Sequence, residues 1–485
     1  MSAAAGIGRR APSLVPAAAC ASAALFAIAA ATAMPIAAAA GLLTLVLGVA
    51  VWHRALLAWP TLVGATLLVI MFIPIKRYRI PGSLPFELEP YRVAVTLVAA
   101  AWLTSLLIDR RVRLHKTGWE GPLALFAFAA VTSVIVNDSR INNLGVSDKV
   151  VKELTFFVSF LIVLFLIVSV ARARSAIEVI IKLLVSSGAI IAFFAIIESR
   201  TGFNPFNRLS AIPLLEPAEF LSEQRRAGKY RAYGPAQHPI ALGAALVMLL
   251  PLAVYLAHGL GRRRWWFAAA LIGLGALGTI TRTSVLMMAV VAAVFLWLRP
   301  HEMKRLWPLL LPALVVVHFA LPGTIGAFRQ SFFPEGGLIA DQSQNPGSRG
   351  QGRVADVAPT LSEVSESPIV GHGYGSRVVD GETPNAQILD NEWLATLLET
   401  GFVGAFAFLW LFVRAIRRLG RAARGDPSPR GWLTAALAAS IAALAVGMLT
   451  FDAFSFIQVT FLLFIMLALA SAALADRRDV LRAAS

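Results

Sequence analysis

Residues 154–197 read LTFFVSFLIVLFLIVSVARARSAIEVIIKLLVSSGAIIAFFAII. Two apolar runs, 154–171 and 176–197, are separated by Arg172-Ala173-Arg174, and Glu178 and Lys182 are the charges in the second run. Neither run alternates polar with apolar residues as a half-buried strand does, and each matches the roughly 20 residues a helix needs to cross a bilayer. The stretch therefore reads as two membrane helices joined at a basic turn.

Working outward, the same pattern recurs. On the N-terminal side, an alanine-rich run follows Gly8-Arg9-Arg10 to Ala31, and further runs lie at 36–52, 61–75, 93–108 and 121–136. On the C-terminal side they lie at 239–257, 265–280, 283–298, 306–321, 396–413, 432–450 and 455–474. The first run resembles a signal peptide but reads as a span, because spans continue after it and no branched residue of lipobox type stands three before Cys20. The fold class expected is an all-α, polytopic integral membrane protein with about 12–14 transmembrane helices and a long extracytoplasmic loop. Composition agrees: of 485 residues 58% are hydrophobic and 14% charged, too little polar surface for a soluble chain. A single cysteine excludes an internal disulfide and a cysteine-based metal site, and no metal or cofactor is expected.

The net charge of +16 would suggest nucleic acid in a soluble protein. Here the basic residues fall in alternate connections: Arg54, Arg110 to Arg113, Arg172 to Arg174, Arg262 to Arg264, 299–305, Arg414 to Arg430, and the tail with Arg477 and Arg478. Under the positive-inside rule these are cytoplasmic, as are both termini, so the charge reports orientation and no nucleic-acid partner is implied. Two connections on the opposite side are too long to be simple links, a basic loop at 199–238 and a loop at 322–390 with a short helix expected at 358–365. The domain reading is 1–150 for N-terminal transmembrane helices, 151–475 for a membrane domain holding both loops, and 476–485 for a cytoplasmic tail.

Four constellations could carry chemistry. Lys229-Tyr230-Arg231-Ala232-Tyr233-Gly234-Pro235-Ala236-Gln237-His238-Pro239 crowds cations against the topological bias and leads into a span, which fits an anionic ligand or a solvated loop paired with Glu216, Glu219 and Glu223. Arg282, in Thr281-Arg282-Thr283-Ser284, stands alone between apolar runs, either facing a polar partner or snorkelling from a turn. Gly371-His372-Gly373-Tyr374-Gly375 lacks the βαβ context of a nucleotide fingerprint and reads as a flexible turn or a sugar-contacting loop. In Asp390-Asn391-Glu392, Asp390 stands where a helix cap is expected. Glu399 follows Glu392 by two helical turns and would enter the membrane, where it calls for a cation; Arg282 is the candidate.

In this order the features resemble the O-antigen ligase and O-antigen polymerase superfamily, over about residues 150–475. The residues that carry the likeness are Arg231-x-x-Gly234 with His238-Pro239 opening a span, Thr281-Arg282, Arg353 ahead of Ser367-Pro368-Ile369-Val370-Gly371-His372, and a long outer loop closing on Asp390-Asn391. The family's ligase motif is His followed by Asn, Ser or Gln, nine residues, then Gly-x-x-Gly; Asn391, Gly401 and Gly404 fit, and Asp390 replaces the His. That departure points toward a polymerase, or a ligase of glycans other than lipopolysaccharide.

The resemblance implies a GT-C-like glycosyltransferase of the bacterial inner membrane with an extracytoplasmic active site. It would move a glycan, with inversion, from a polyprenyl diphosphate lipid to the hydroxyl of a glycan or glycolipid acceptor. Arg282 and Arg353 would stabilise the leaving diphosphate and Asp390 would act as base, these three being the catalytic candidates. Arg231, His238, Arg349, His372, Asn391, Glu392 and Glu399 would bind substrate, Arg231 facing the diphosphate. A transporter or flippase of lipid-linked saccharides is the alternative, disfavoured by the scarcity of charge in the inner halves of the spans beyond Glu178 and Lys182.

Overall fold

A computed structural model describes residues 58–81, 88–109, 112–171, 173–212, 215–218, 223–226, 228–306, 308, 310–333, 357–377 and 389–484. The two spans expected before residue 53, Cys20, Glu219, Arg349 and Arg353 lie outside the described residues. The chain divides into units 1–65 and 66–485. Residues 58–65 of the first open helix α1 (Trp59–Phe72), and everything below concerns the second.

The described elements are helices joined by turns, with two short strand pairs. In chain order they are β1 (Tyr78–Arg79), α2 (Pro90–Ile108), α3 (Glu120–Val136), α4 (Asp138–Asn143), α5 (Ser147–Val170), α6 (Arg174–Thr201), β2 (Glu216–Pro217), β3 (Arg225–Arg226) and β4 (Lys229–Tyr230). There follow α7 (Pro239–Val254), α8 (Trp265–Gly278), α9 (Arg282–Leu298), α10 (Pro300–Leu306), α11 (Leu310–Ala320), α12 (Thr324–Phe332) and α13 (Val357–Glu366). The last three are α14 (Glu392–Ala423), α15 (Pro429–Gly447) and α16 (Ile457–Ala484). Among the described residues seven helices are long and apolar enough to cross a membrane: α2, α5, α6, α7 with its π-helical extension Tyr255–Gly259, α14, α15 and α16 to Ala475. Helices α1, α3, α8 and α9 are shorter and equally apolar. The all-α, multi-pass expectation holds, and each apolar run read on described residues is a helix.

Helices are the physical answer because lipid offers no partner for backbone N–H and C=O groups, which the i to i−4 ladder pairs internally. Polar residues set the starts. His238 caps α7 with Pro239 in the first turn, Thr281 caps α9, Asn391 caps α14, and Ser428 caps α15 ahead of Pro429. Helices α16, α7 and α15 are the innermost, and α2 is the most peripheral of the seven. Helix α15 buries small residues, with alanines recurring from Ala435 to Ala443, whereas α16 packs Phe461 and Phe464 against Phe160 of α5.

Helix alternation sorts the connections onto two ends. One gathers 76–79, α4, the loop 199–238 with its strand pairs, 279–281, α12, α13, 367–377, 389–391 and 448–456, and is called here the hairpin end. Strand β1 pairs antiparallel with β2, and β3 with β4. The other end gathers 112–119, 171–174, 260–264, 299–306 and 424–428. Arg299 Nη2 donates to the Asp426 carbonyl there, and Arg414 Nε and Arg418 Nη1 donate to the Gly118 carbonyl at 2.8 and 3.1 Å.

Hydropathy alone missed one feature. Helix α14 is broken at Gly401, whose φ of 62° and ψ of −168° are not helical. A Cβ there would lie 2.2 Å from the Ile369 carbonyl oxygen, and one on Gly371 would lie 2.5 Å from the Glu399 carbonyl carbon. The glycine-rich loop is thus laid directly on the break. Loop amides pair carbonyls the break sets loose, His372 N–H donating to Leu398 O (2.9 Å) and Gly373 N–H to Glu399 O (3.2 Å), and beyond the break Phe402 N–H donates to the loop's Pro368 O (2.8 Å). The loop is a turn bonded to the broken helix on both sides of Gly401.

Candidate functional site

Three chain segments converge at the hairpin end on the turn 448–456. The start of α14 is tied to it twice by backbone, Glu392 N–H donating to Met448 O (2.9 Å) and Phe451 O (3.2 Å), and again where Phe454 N–H donates to Glu392 Oε2 (2.9 Å). The start of α9 joins through Thr283 and Thr450, whose hydroxyls lie 2.7 Å apart. The start of α7 joins through the His238 ring, stacked on Phe456 at 6.0 Å between centroids. Asp390, Arg282 and His238, spread over about 150 residues of sequence, thereby border one turn.

That turn carries Asp452, a half-buried carboxylate that the sequence reading passed over. Burial pushes its pKa up to about 6, opposed by a hydrogen bond from Ser455 and reinforced by the negative charge of Asp390; Lys76 acts weakly the other way. The signal available in the sequence was a lone acid in the last short connection, at a depth where unpaired charge is costly.

Arg282 occupies the first helical position of α9, half-buried, with Nε donating to Ser331 Oγ of α12 at 3.0 Å. Beneath it lies a hydroxyl cluster. Thr279 Oγ1 lies 3.0 Å from Thr281 Oγ1 and donates to Ala276 O, and Ser284 joins through Thr281. Gly243 of α7 makes room for the cluster, since a Cβ there would fall 2.0 Å from Ser284 Oγ. Ile280, between the two threonines, is held at φ 47°, a left-handed conformation unusual for a β-branched residue and one that costs on the order of 1–3 kcal/mol.

Arg231 is buried against the same turn, with Nε directed at Thr279 O (3.4 Å) and Nη1 at Gln224 Oε1 (3.4 Å). Its neighbour Ala232 donates its N–H to Gly278 O (3.2 Å). Three residues on, Gly234 is clamped: its N–H donates to Glu198 Oε2 (2.9 Å), and its carbonyl accepts from Arg77 Nη2 (2.6 Å) and Asn204 Nδ2 (3.0 Å). Arg77 also donates to Asn207 Oδ1 (2.7 Å) and lies over the Tyr233 ring. Glu198 and Arg77, both buried, fix the Arg231-x-x-Gly234 turn, where the sequence reading had considered Glu216, Glu219 and Glu223 as partners of the loop. Such long-range partners leave no local signal.

The remaining candidates are engaged within the chain. Asn391 Oδ1 accepts from Trp393 and Leu394 N–H, a helix cap. Glu392 is buried and holds Phe454 and Thr396. His372 is buried, with Nδ1 against Arg140 Nη1 and Nε2 2.8 Å from Glu363 O, and Arg140 pairs with Glu363 at 3.2 Å. Glu399 accepts from Gly375 N–H at 3.0 Å, and the charges acting on it are Lys149, Glu153 and Arg377, whereas Arg282 had been the expected partner. The break at Gly401 and the loop laid over it turn this carboxylate toward α5.

No group of three or more His, Cys, Asp or Glu side chains poised for a metal occurs among the described residues. The hairpin end offers arginines where an anion can be held and, in Asp452, a carboxylate where a proton can be received.

Residues 267–409 match the family described as O-antigen ligase, which supports assignment to the O-antigen ligase and polymerase superfamily. The matched stretch runs from α8 through Arg282, α12, α13 and the glycine-rich loop to the first half of α14, and is narrower than the 150–475 over which the sequence features resemble the superfamily. Arg231, His238 and Asp452 stand outside it. No curated protein matches the chain.

Proposed function

We propose that this protein is a membrane glycosyltransferase that joins a glycan from a polyprenyl diphosphate carrier to a sugar hydroxyl, as an exopolysaccharide or O-antigen type polymerase or ligase, at the hairpin end of the bundle. Glycan transfer of the O-antigen ligase or polymerase type is what the family match supports. The donor, the acceptor and the extracytoplasmic placement of the hairpin end are this reading's own. The observation that carries it is the convergence of Arg282, Asp390 and His238 on the turn that holds Asp452.

In the step proposed, the acceptor oxygen attacks the anomeric carbon of the donor. The bond from that carbon to the diphosphate oxygen breaks, and the electron pair leaves with the polyprenyl diphosphate. Arg282 and Arg231 face the charge that develops on that leaving group, with Arg353 assigned alongside them from the resemblance. The proton of the acceptor hydroxyl passes to the Asp390–Asp452 pair. An isolated aspartate near its reference pKa of about 4 is a weak base for an alcohol, and Asp452 at about 6 is better matched. Asn391, Glu392, His372 and Glu399 position these groups by holding α14, the turn 448–456 and the glycine-rich loop together.

Reconstitution of the purified protein with polyprenyl diphosphate-linked glycan and acceptor tests the reading. Glycan joined to glycan, with release of polyprenyl diphosphate, is expected. Movement of the lipid-linked glycan across the vesicle without a new bond would replace the enzyme with a transporter.

A further inference from the structure

Beside the proposed site, but sharing none of its arginines, the hairpin end contains an open cavity of about 310 Å³. Its lining includes Arg200 at the end of α6, Lys229 and Tyr230 of the β3–β4 hairpin, and Ile280, Pro322 and Thr324.

Among the described residues, no acidic side chain lines this cavity beside its cations. Lys229 reaches over the start of α12: a Cβ on Gly323, the residue that caps this nine-residue helix, would lie 2.9 Å from Lys229 Cε and 3.1 Å from Nζ. A helix N-terminus carries about half a positive charge, so an ammonium held there gains nothing from it. Arg200 adds a third source of positive potential. Neither Arg200 nor Lys229 makes an ion pair among the described residues, whereas Arg79, Arg92, Arg140, Arg174, Lys182, Arg225 and Arg262 all do. Arg225 is paired with Glu223 and stacked over Tyr230 at 4.3 Å, so the hairpin is braced with Lys229 left on the cavity side.

The other half of the lining is apolar. Ile280 and Pro322 offer hydrocarbon, Tyr230 a ring and Thr324 a hydroxyl. Bare phosphate has no use for such a wall, whereas a sugar ring presents C–H faces to apolar surface and its substituents to polar groups. At about 310 Å³ the cavity is at the small end of ligand pockets, suited to one residue of a saccharide and not to a long segment.

We propose that this cavity binds one anionic sugar residue of the glycan substrate, its carboxylate or phosphate held by Lys229 and Arg200 and its ring against Ile280, Pro322 and Tyr230. The inference deepens the glycan-transfer reading by naming a substrate class, an acidic polysaccharide, and places the acidic residue one turn away from Arg282. Ile280 links the two, since it lines the cavity and precedes Thr281-Arg282 in the chain.

The test is calorimetric titration of the purified full-length protein in detergent with glucuronate, glucose 6-phosphate, glucose and inorganic pyrophosphate. Glucuronate or glucose 6-phosphate is expected to bind in the millimolar range or tighter while glucose does not, and the tighter of the two names the anionic group. Lys229→Gln with Arg200→Gln should weaken that binding at least about tenfold with the thermal midpoint unchanged. Arg282→Ala should leave it intact, so loss of glycan transfer in Arg282→Ala and loss of this binding are separate results. The proposal is overturned if glucose binds as well as the anions, if pyrophosphate alone binds, if the double variant binds as the parent does, or if no anion binds.

Discussion

The two ends of the bundle share one use of arginine and differ in another. At the end away from the hairpins it is structural: Arg424, Arg418 and Arg299 lie over the rings of Trp297, Trp119 and Trp432 at 4.2, 5.0 and 5.2 Å, and Arg299, Arg414 and Arg418 donate to carbonyls where chain segments meet. Glu178 there gathers Arg174, Lys182 and Arg262. At the hairpin end Arg77 and Arg225 likewise lie over Tyr233 and Tyr230, while Arg231 and Arg282 meet backbone, amide and hydroxyl oxygens and the charge of Asp390 acts on Asp452. A cation spent on an indole face and a carbonyl fastens a fold, and the proposed function asks Arg231 and Arg282 to face an anion as well. Positive charge alone therefore distinguishes nothing, and its partners do.

The comparison can be broken by paired substitutions. The largest effect is expected at Arg282: Arg282→Ala should lower the transfer rate about 10²–10³-fold at normal protein level, by loss of charge facing the leaving group. Arg299→Ala, its counterpart at the far end, should lower thermal stability while leaving the rate per folded molecule unchanged. Equal rate losses in both would erase the distinction between the ends.

Asp452→Asn should cost transfer about 10²-fold or more, the scale of general-base catalysis. The parent rate should fall as pH drops through about 6, since the base must be ionised. Asp390→Asn removes a like charge and should move that limb to lower pH. Stability should go the other way. A folded-state pKa above the unfolded one gives a contribution that is complete below the unfolded value and lost as pH rises through the folded value. At neutral pH the ionised Asp452 therefore costs stability, and Asp452→Asn should be neutral or stabilising in a thermal melt. A destabilised Asp452→Asn would mark the residue as framework.

Gly401→Ala should act on the fold. The new Cβ meets the Ile369 carbonyl at a φ of 62°, so a loss on the order of 2–4 kcal/mol is expected, read as lowered folded yield or thermal midpoint. The smallest effect belongs to Arg424→Gln, which removes a cation from Trp297 and should cost on the order of 0.5–1 kcal/mol in a melt with transfer intact.

The spans were legible because a bilayer forces helices from any apolar run of sufficient length, whereas the cap of α14 was expected at Asp390 and is Asn391. Arg231, Arg282 and Asp390 could be singled out because charge is rare in this chain. What joins them could not. Asp452 belongs to the site through hydrogen bonds from Glu392 and Thr283 to a turn some sixty to a hundred and seventy residues away in sequence. Glu198 holds Gly234 across 36 residues, and Glu399 turns away from Arg282 because of a backbone break that hydropathy does not register. Residue types announce themselves along a chain, whereas their partners are set by packing.

The central claim is that the hairpin end performs glycan transfer, and the measurement that tests it most directly is product formation by purified protein in proteoliposomes. Parent, Arg282→Ala and Arg299→Ala would be supplied with polyprenyl diphosphate-linked glycan and scored per folded molecule. The account predicts a new glycosidic product from the parent and from Arg299→Ala and almost none from Arg282→Ala. Undiminished product from Arg282→Ala, or no product from the parent while the lipid-linked glycan changes leaflet, would contradict it.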